Sequence, residues 1–335
     1  MNIGIMGLGA IAHTLAETMN RMESEDIHLF ACASRDENKA LAFKEQYHVD
    51  KAYSSYEDMV KDEDIDLVYI ATPHSEHYKN IMLCLENGRN VLCEKAFTVN
   101  ERQAKEVINY ARSKKIFLAE AIWTRYMPIR KVINDLIANN TIGKVKSVTA
   151  DLGYVINKKK RLVDPHLAGG ALLDVGIYPL NFASMFLGNN VTKVEAICTY
   201  TDKHLDDSDS ITLVYSDNTI ATLTCSMSSS TSRIGTINGN NGYIVVNNIN
   251  NPEKISIYDV NNHLIREMRR ESQISGYEYE LRECRDAIMQ GAIEPISMPH
   301  DETLEMMAML DKIREKMDIK YPNEDKKLRW RFRFS

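Results

Sequence analysis

Three short runs, the third in two parts, carry residue types at spacings that can do chemistry. The first is IGIMGLGAIA at residues 3–12, an apolar run that breaks into Gly7-x-Gly9-x-x-Ala12 and continues as a helical pattern. Such a strand–turn–helix can hold the pyrophosphate of a dinucleotide. Gly7 permits the tight turn, Gly9 lets backbone approach the phosphates, and Ala12 is small enough for the helix to pack on the sheet. The helix start, with Ile11 in its first turn, offers unpaired N–H groups and a positive dipole end to the anion. The second run is Ser34-Arg35-Asp36, at the end of the strand-like HLFACA. That position reads the adenosine ribose. Ser34 and Arg35 suit a 2′-phosphate, whereas Asp36 would accept from a free 2′-OH or cap the next helix. NADP is therefore expected over the alternative, NAD. The third run is a pair of strand ends, Ala71-Thr72-Pro73-His74-Ser75-Glu76-His77 and Cys93-Glu94-Lys95. Ligands of open parallel sheets bind beyond the carboxyl ends of the strands, which places Thr72, Pro73, His77, Glu94 and Lys95 at a cofactor crevice. His74 and His77 have no third ligand nearby in sequence, so no metal is expected.

The elements that must position these residues are legible as two rhythms. Apolar runs at 2–6, 27–33, 67–71, 90–93 and 116–119 alternate with amphipathic stretches near 11–22, 36–46, 55–61, 75–87 and 100–114. Continuous apolar strands separated by helices predict a doubly wound parallel sheet of the Rossmann type. From about residue 144 the strands follow one another closely, at 145–154, 192–201, 208–216 and 219–227, extended by 232–238, 242–247, 254–259 and 263–268. This predicts a large, mainly antiparallel sheet, joined by helices at 169–186, 276–290 and 301–317. The expected organisation is a dinucleotide-binding α/β domain over 1–120 and a substrate-binding, dimer-forming α+β domain over 121–335, with a cleft between them.

Composition narrows the partners. A net charge of −6 does not suit general nucleic-acid binding, and hydrophobic and charged fractions of 44% and 26% are those of a soluble globular protein. No run approaches the ~18–20 continuous apolar residues of a membrane span. Six scattered cysteines without a Cys-x-x-Cys pair suit reduced thiols, and a cytoplasmic location is expected. The terminal KKLRWRFRFS alternates Arg329, Arg331 and Arg333 with Trp330, Phe332 and Phe334, which predicts an edge strand or a subunit contact.

GLGAIA, SRD, ATPHSEH and CEKA, followed by GGALLDVGIYPL at 169–180, occur in this order. The combination resembles the glucose–fructose oxidoreductase/inositol dehydrogenase family of NAD(P)-dependent oxidoreductases over nearly the whole chain. AEAIWTRYMP at 119–128 and the tyrosine of DVGIY are most similar to the family's dihydrodiol dehydrogenase/D-xylose 1-dehydrogenase (NADP) branch. Two positions depart from the broader family pattern: Glu-Lys-Pro has become Glu94-Lys95-Ala96, and the histidine of Asp-x-Gly-x-His is replaced by Tyr178. The resemblance implies a homodimer, and it implies that Trp123 and Arg125 contact the nicotinamide half or the pyrophosphate. It also implies hydride transfer between nicotinamide C4 and a carbinol or carbonyl carbon of a sugar, polyol or vicinal diol.

Asp174 and Tyr178, four residues apart on an expected helix, project from one face, and Lys95 reaches them from the other domain. A phenol has a pKa near ~10, which a neighbouring ammonium lowers. Tyr178 is therefore expected as acid/base, tuned by Lys95, with Asp174 orienting Lys95 or a substrate hydroxyl; Lys95 is the rival proton carrier. Arg161, Asp164 and His166 are weaker candidates for the substrate mouth. Other sugar or cyclitol dehydrogenases and reductases remain alternatives, as does a non-catalytic NADP(H)-binding redox sensor.

Overall fold

The computed structural model describes residues 1–22, 26–322 and 324; the basic–aromatic C-terminal run lies outside the described residues. Six parallel strands form the first sheet: β1 (Asn2–Met6), β2 (His28–Ala33), β3 (Lys51–Tyr53), β4 (Leu67–Ile70), β5 (Asn90–Glu94) and β6 (Leu118–Ala121). Their order is β3-β2-β1-β4-β5-β6, so the winding reverses between β1 and β4. Helices cover both faces, which explains why Ile3, Ile5, Leu67, Val68, Tyr69 and Ile70 are all fully buried. Each fully buried Ile or Leu contributes roughly 1.5–3 kcal/mol relative to exposure, so this uninterrupted apolar pattern fixes the strands firmly behind the crevice.

The second sheet has eight strands: β7 (Val145–Gly153), β8 (Val191–Tyr200), β9 (Asp206–Tyr215), β10 (Ile220–Ser226), β11 (Ile234–Gly239), β12 (Gly242–Asn247), β13 (Lys254–Asp259) and β14 (Leu264–Arg269). Their order is β14-β13-β12-β11-β7-β10-β9-β8. All neighbours are antiparallel except β7 and β10, which run parallel at the centre. Along β10, Ala221, Leu223 and Cys225 are buried while Ile220, Thr222 and Thr224 are exposed, the alternation of a sheet with one covered face. The helix Ile177–Leu187 packs on the covered face.

The strand β3 and the helix Pro128–Ala138 are not among the elements expected from the sequence. The strand β3 is three residues long, too short to show a period. The helix Pro128–Ala138 buries Ile129 and Ile133 and starts with proline at its first turn; its apolar spacing and that proline were readable signals. The helix Glu278–Met289 packs Leu281 and Cys284 into the core that holds Ile3, Ile5 and Leu15. It belongs with the first sheet's core although it lies in the 121–335 part of the chain. The stretch Pro165–Leu187 is long and apolar enough to cross a membrane, but 78% of its most apolar window is buried within the protein, as in a core helix.

Candidate active site

A cleft of about 610 Å³ runs from the carboxyl ends of β1, β2 and β4 to Asp174 and Tyr178, on the helical segment that packs on the second sheet. One end is built by the glycine turn. Gly7 has φ +91°, and a Cβ there would stand 2.8 Å from Thr72 Cγ2 and 3.1 Å from the Ala71 carbonyl oxygen. The chain after β1 thus passes flush against the chain after β4, which only glycine permits. Gly9 precedes the helix Ala10–Asn20, which has no side-chain cap and no acidic residue in its first turn. Gly7, Gly9, Ile11, Thr72 and Pro73 line the cleft; the Gly7 N–H is taken by the Ala33 carbonyl at 3.0 Å, and the N–H groups of the uncapped first turn of the helix Ala10–Asn20 are the ones left to an anion. Ala12 is fully buried behind them and serves helix–sheet packing. Gly7→Ala is expected to weaken NADPH binding at least about tenfold and to cost about 1–3 kcal/mol of stability, measured by NADPH fluorescence titration and urea unfolding.

Beyond β2, Ser34 and Arg35 line the cleft, joined by Lys39 and Tyr56, which sequence reading did not single out. Asp36 accepts from the Lys39 N–H and caps the helix Glu37–Tyr47, so it is committed to the backbone. Its N–H in turn donates to Ser34 Oγ at 3.1 Å. Arg35 and Lys39 are four residues apart around this helix start, a spacing that could have flagged Lys39.

The other end holds the titratable groups. Lys95 follows β5, and its Nζ donates to the Asp174 carbonyl oxygen at 2.7 Å and to Asp174 Oδ1 at 3.2 Å. Asp174 sits in a π-helical turn, Leu172–Gly176, that leads into the helix Ile177–Leu187. Five residues on, where such a turn would supply the next donor to the Asp174 carbonyl, stands Pro179, which has no N–H. Lys95 supplies a donor there instead. Asp206 of β9 accepts from the Leu172 N–H and anchors the start of the turn. Arg161, in the turn Lys160–Leu162, closes over Asp174 with a two-point contact, Nη1–Oδ1 2.7 Å and Nη2–Oδ2 3.2 Å. These two cations outweigh burial and hold the Asp174 carboxyl well below the usual carboxylate range. For Lys95, burial opposes the ammonium, but Asp174, Tyr178 and Glu94 outweigh it and the pKa stands above its ordinary value.

Tyr178 lies against Lys95, whose Nζ is 5.0 Å from its ring centroid. Its Oη accepts from Trp123 Nε1–H at 3.2 Å. Burial pushes the phenol up to about 12, and Lys95 offsets this only in part. The lowering expected from Lys95 alone is therefore corrected: desolvation is the larger effect, because the ring is packed in the interior. Glu94 lines the cleft and accepts from the Tyr69 hydroxyl; burial first, despite Lys95, raises its carboxyl above the ordinary value.

Several residues named from sequence stand elsewhere. His77 is fully buried, with Nε2 2.8 Å from the Thr72 carbonyl and Nδ1 2.9 Å from the Ala96 carbonyl. It clamps the two strand-end turns and does not line the cleft. Arg125 is also interior, with Nε on Asn181, Nη2 on Ser184 and Nη1 3.0 Å from Glu302. It ties the helix Ile177–Leu187 to the helix His300–Lys316 and cannot meet a pyrophosphate from there. Trp123 is buried, stacked on Tyr277 behind Tyr178. Asp164 accepts from the His166 N–H in a turn beside the cleft. His74, unassigned from sequence, lines the cleft; its Nδ1 donates to the Ala168 carbonyl at 3.0 Å, and burial lowers its pKa to about 3. Among the described residues no group of three or more His, Cys, Asp or Glu could hold a metal ion.

A glycine turn at the switch point of a doubly wound sheet shares one cleft with a Lys–Asp–Tyr group. Together they define a class, the NAD(P)-binding oxidoreductases. Residues 1–121 match the oxidoreductase family with NAD-binding Rossmann fold, and residues 131–245 match the GFO/IDH/MocA C-terminal domain. The chain belongs to the GFO/IDH/MocA family of oxidoreductases. It is 32% identical over 327 residues to the trans-1,2-dihydrobenzene-1,2-diol dehydrogenase of Xenopus tropicalis, covering 95% of this chain and 98% of that one. The mouse enzyme of the same name is 30% identical over 326 residues, covering 96% and 98%. Among solved structures, a 3-ketoreductase from Actinomadura kijaniata in complex with NADP and TDP-benzene shares the fold, with a TM-score of 0.85, 23% identity and coverage of 95% and 98%. An aldose-aldose oxidoreductase from Caulobacter crescentus complexed with glycerol does so with a TM-score of 0.83, 22% identity and coverage of 95% and 97%.

Proposed function

We propose that this protein is an NADP-dependent oxidoreductase that moves a hydride between nicotinamide C4 and a carbinol or carbonyl carbon of a sugar or vicinal diol. The observation that carries the reading is the placement of Lys95, Asp174 and Tyr178 at the far end of the cleft that begins at the Gly7 turn. The cleft fits the cofactor: an uncapped helix start and a close-packed glycine face the pyrophosphate position, and Ser34, Arg35 and Lys39 stand at the adenosine end. The bound nicotinamide would supply or accept the hydride.

The chain's own residues handle the proton. In reduction Tyr178 O–H donates to the substrate oxygen as it gains negative charge, and in oxidation the same oxygen takes the hydroxyl proton. Lys95 has three N–H donors, and its two contacts to Asp174 leave one for that substrate oxygen. Asp174 holds Lys95 charged and in place, while Arg161 keeps the Asp174 carboxylate oriented. The relatives' dihydrodiol supports a substrate with adjacent hydroxyl or carbonyl groups.

NADP is favoured over NAD because Asp36 is used as a helix cap and Arg35 and Lys39 leave cationic charge at the ribose. Arg35→Ala is expected to lower the NADPH/NADH ratio of kcat/KM about 10- to 100-fold; an unchanged ratio contradicts the NADP reading. The overall function is tested by NADPH fluorescence binding followed by turnover with aldoses, vicinal diols and dicarbonyls. Binding without turnover supports the redox-sensor alternative and overturns the enzymatic reading. Six free cysteines suit a cytoplasmic location. The outer face of the second sheet, where Ile197 and Ile220 are exposed, suits a homodimer contact.

A further inference from the structure

We propose that Trp123 is a positioning residue: seated on Tyr277, its indole N–H holds the Tyr178 oxygen so that the phenol's own hydrogen points into the cleft. The proposal rests on Tyr178 being the proton carrier. An indole N–H can only donate, so at 3.2 Å the Tyr178 oxygen is the acceptor and its O–H must point elsewhere. Trp123 is itself held rigidly. Its ring lies parallel to that of Tyr277, with centroids 4.2 Å apart and planes 4° from parallel. Gly276, at φ +109°, leaves room for this seat; a Cβ there would stand 2.9 Å from Trp123 Cζ3 and 2.8 Å from Met127 Cε.

The seat is built from the chain around residues 274–277. The Glu278 carboxylate accepts the N–H groups of Ile274, Ser275 and Gly276 at 2.6, 3.0 and 2.6 Å. Ser275 Oγ lies 2.8 Å from Thr18 Oγ1, and Arg21 Nη1 donates to the Ile274 carbonyl at 3.0 Å. Thr18 belongs to the helix that starts at the glycine turn, and Arg21 caps its end. The hydroxyl of Tyr178 is thus referenced, through Trp123 and Tyr277, to the element that faces the pyrophosphate position. The proton carrier and the glycine turn are thereby held in one frame, although Tyr178 rides on a helix packed on the second sheet and the turn follows β1 of the first.

The test replaces the N–H and keeps the ring. Trp123→Phe, and benzothienylalanine at position 123 as a Trp-shaped side chain with sulfur in place of N–H, are compared with the wild type and with Tyr178→Phe. An N–H donor favours phenolate, so its loss raises the Tyr178 pKa. The expected result is a 5- to 20-fold lower kcat, unchanged NADPH affinity, and a pH profile for alcohol oxidation displaced upward by about 0.5–1 unit. The benzothienyl protein preserves packing, so the measurement stands if Trp123→Phe fails to fold. Below the phenol pKa, where oxidation climbs with pH, a displaced profile is read as a uniformly lower kcat, so a wild-type kcat for oxidation at every pH in that protein overturns the positioning role. Full activity in Tyr178→Phe instead removes the proton-carrier reading on which the proposal depends, and inactivity there with an unmoved benzothienyl profile removes only the proposal.

Discussion

Tyr178→Phe is expected to lower kcat by about a hundred- to ten-thousand-fold in both directions while leaving NADPH affinity unchanged. The substitution removes one oxygen. The ring stays packed against Lys95, so the loss reports proton transfer and not collapse of the site. The wild-type pH dependence supplies a second readout. With burial holding the phenol up to about 12, it is neutral through the physiological range and ready to donate to a carbonyl. Reduction should therefore be nearly flat between pH 6 and pH 9. Oxidation needs the deprotonated oxygen, whose fraction grows about tenfold per pH unit below the pKa, so its rate should climb with pH over the range near pH 7–10. Tyr178→Phe should abolish that climb. A steady-state pH profile of kcat in both directions decides the matter, and a wild-type climb in the phenylalanine variant would assign the proton to Lys95.

Asp174→Asn carries the second large effect. It keeps the shape of the side chain and removes the negative charge that Lys95 and Arg161 share. Breaking a buried ion pair costs about 3–5 kcal/mol when a charge is left without a partner. Here the asparagine oxygen and the Asp174 backbone carbonyl remain as acceptors and Arg161 is partly exposed, so about 2–3 kcal/mol is expected. The Asp174 carboxyl is held below its ordinary range, so its contribution is fully present above the unfolded pKa near ~3.9 and is lost as pH falls through the lower folded value. Urea unfolding should show the stability gap constant from pH 7 to about pH 5 and shrinking below about pH 4. Activity should fall about a hundredfold, because without the carboxylate burial pulls the Lys95 pKa down and its ammonium is no longer held toward the substrate oxygen. A gap that persists unchanged into strong acid would show that Asp174 contributes through shape and not through charge.

Much of the first sheet was legible because its physics is local. Strands buried on both faces must be continuously apolar, as LVYI of β4 is, and a turn that presses against its neighbour must use glycine, as Gly7 does. The second sheet was legible for the related reason that one covered face imposes alternation. The helix Pro128–Ala138 carries local signals, Pro128 in its first turn and the apolar spacing of Ile129 and Ile133, yet lies outside the two rhythms from which the elements are expected. Arg125 shows the limit of carrying a role along a motif: the arginine is present, but Asn181, Ser184 and Glu302 claim its donors in the interior. His77 stands likewise away from the cleft, wedged between the Thr72 and Ala96 carbonyls, one of which accepts its single ring N–H.

The sequence by itself determined the class of fold, the glycine turn after β1 and the residue types of the three titratable groups expected at one site. These depend on residue types and short spacings. Only the tertiary structure decided how those groups act. The Lys95 contact to the π-turn at Asp174, the second cation from Arg161 and the indole donor to Tyr178 span 79, 13 and 55 residues. Likewise, the phenol's high pKa comes from burial, which Lys95 offsets only in part. Charge and solvation act through space, and no local spacing encodes which side chains will share a desolvated pocket.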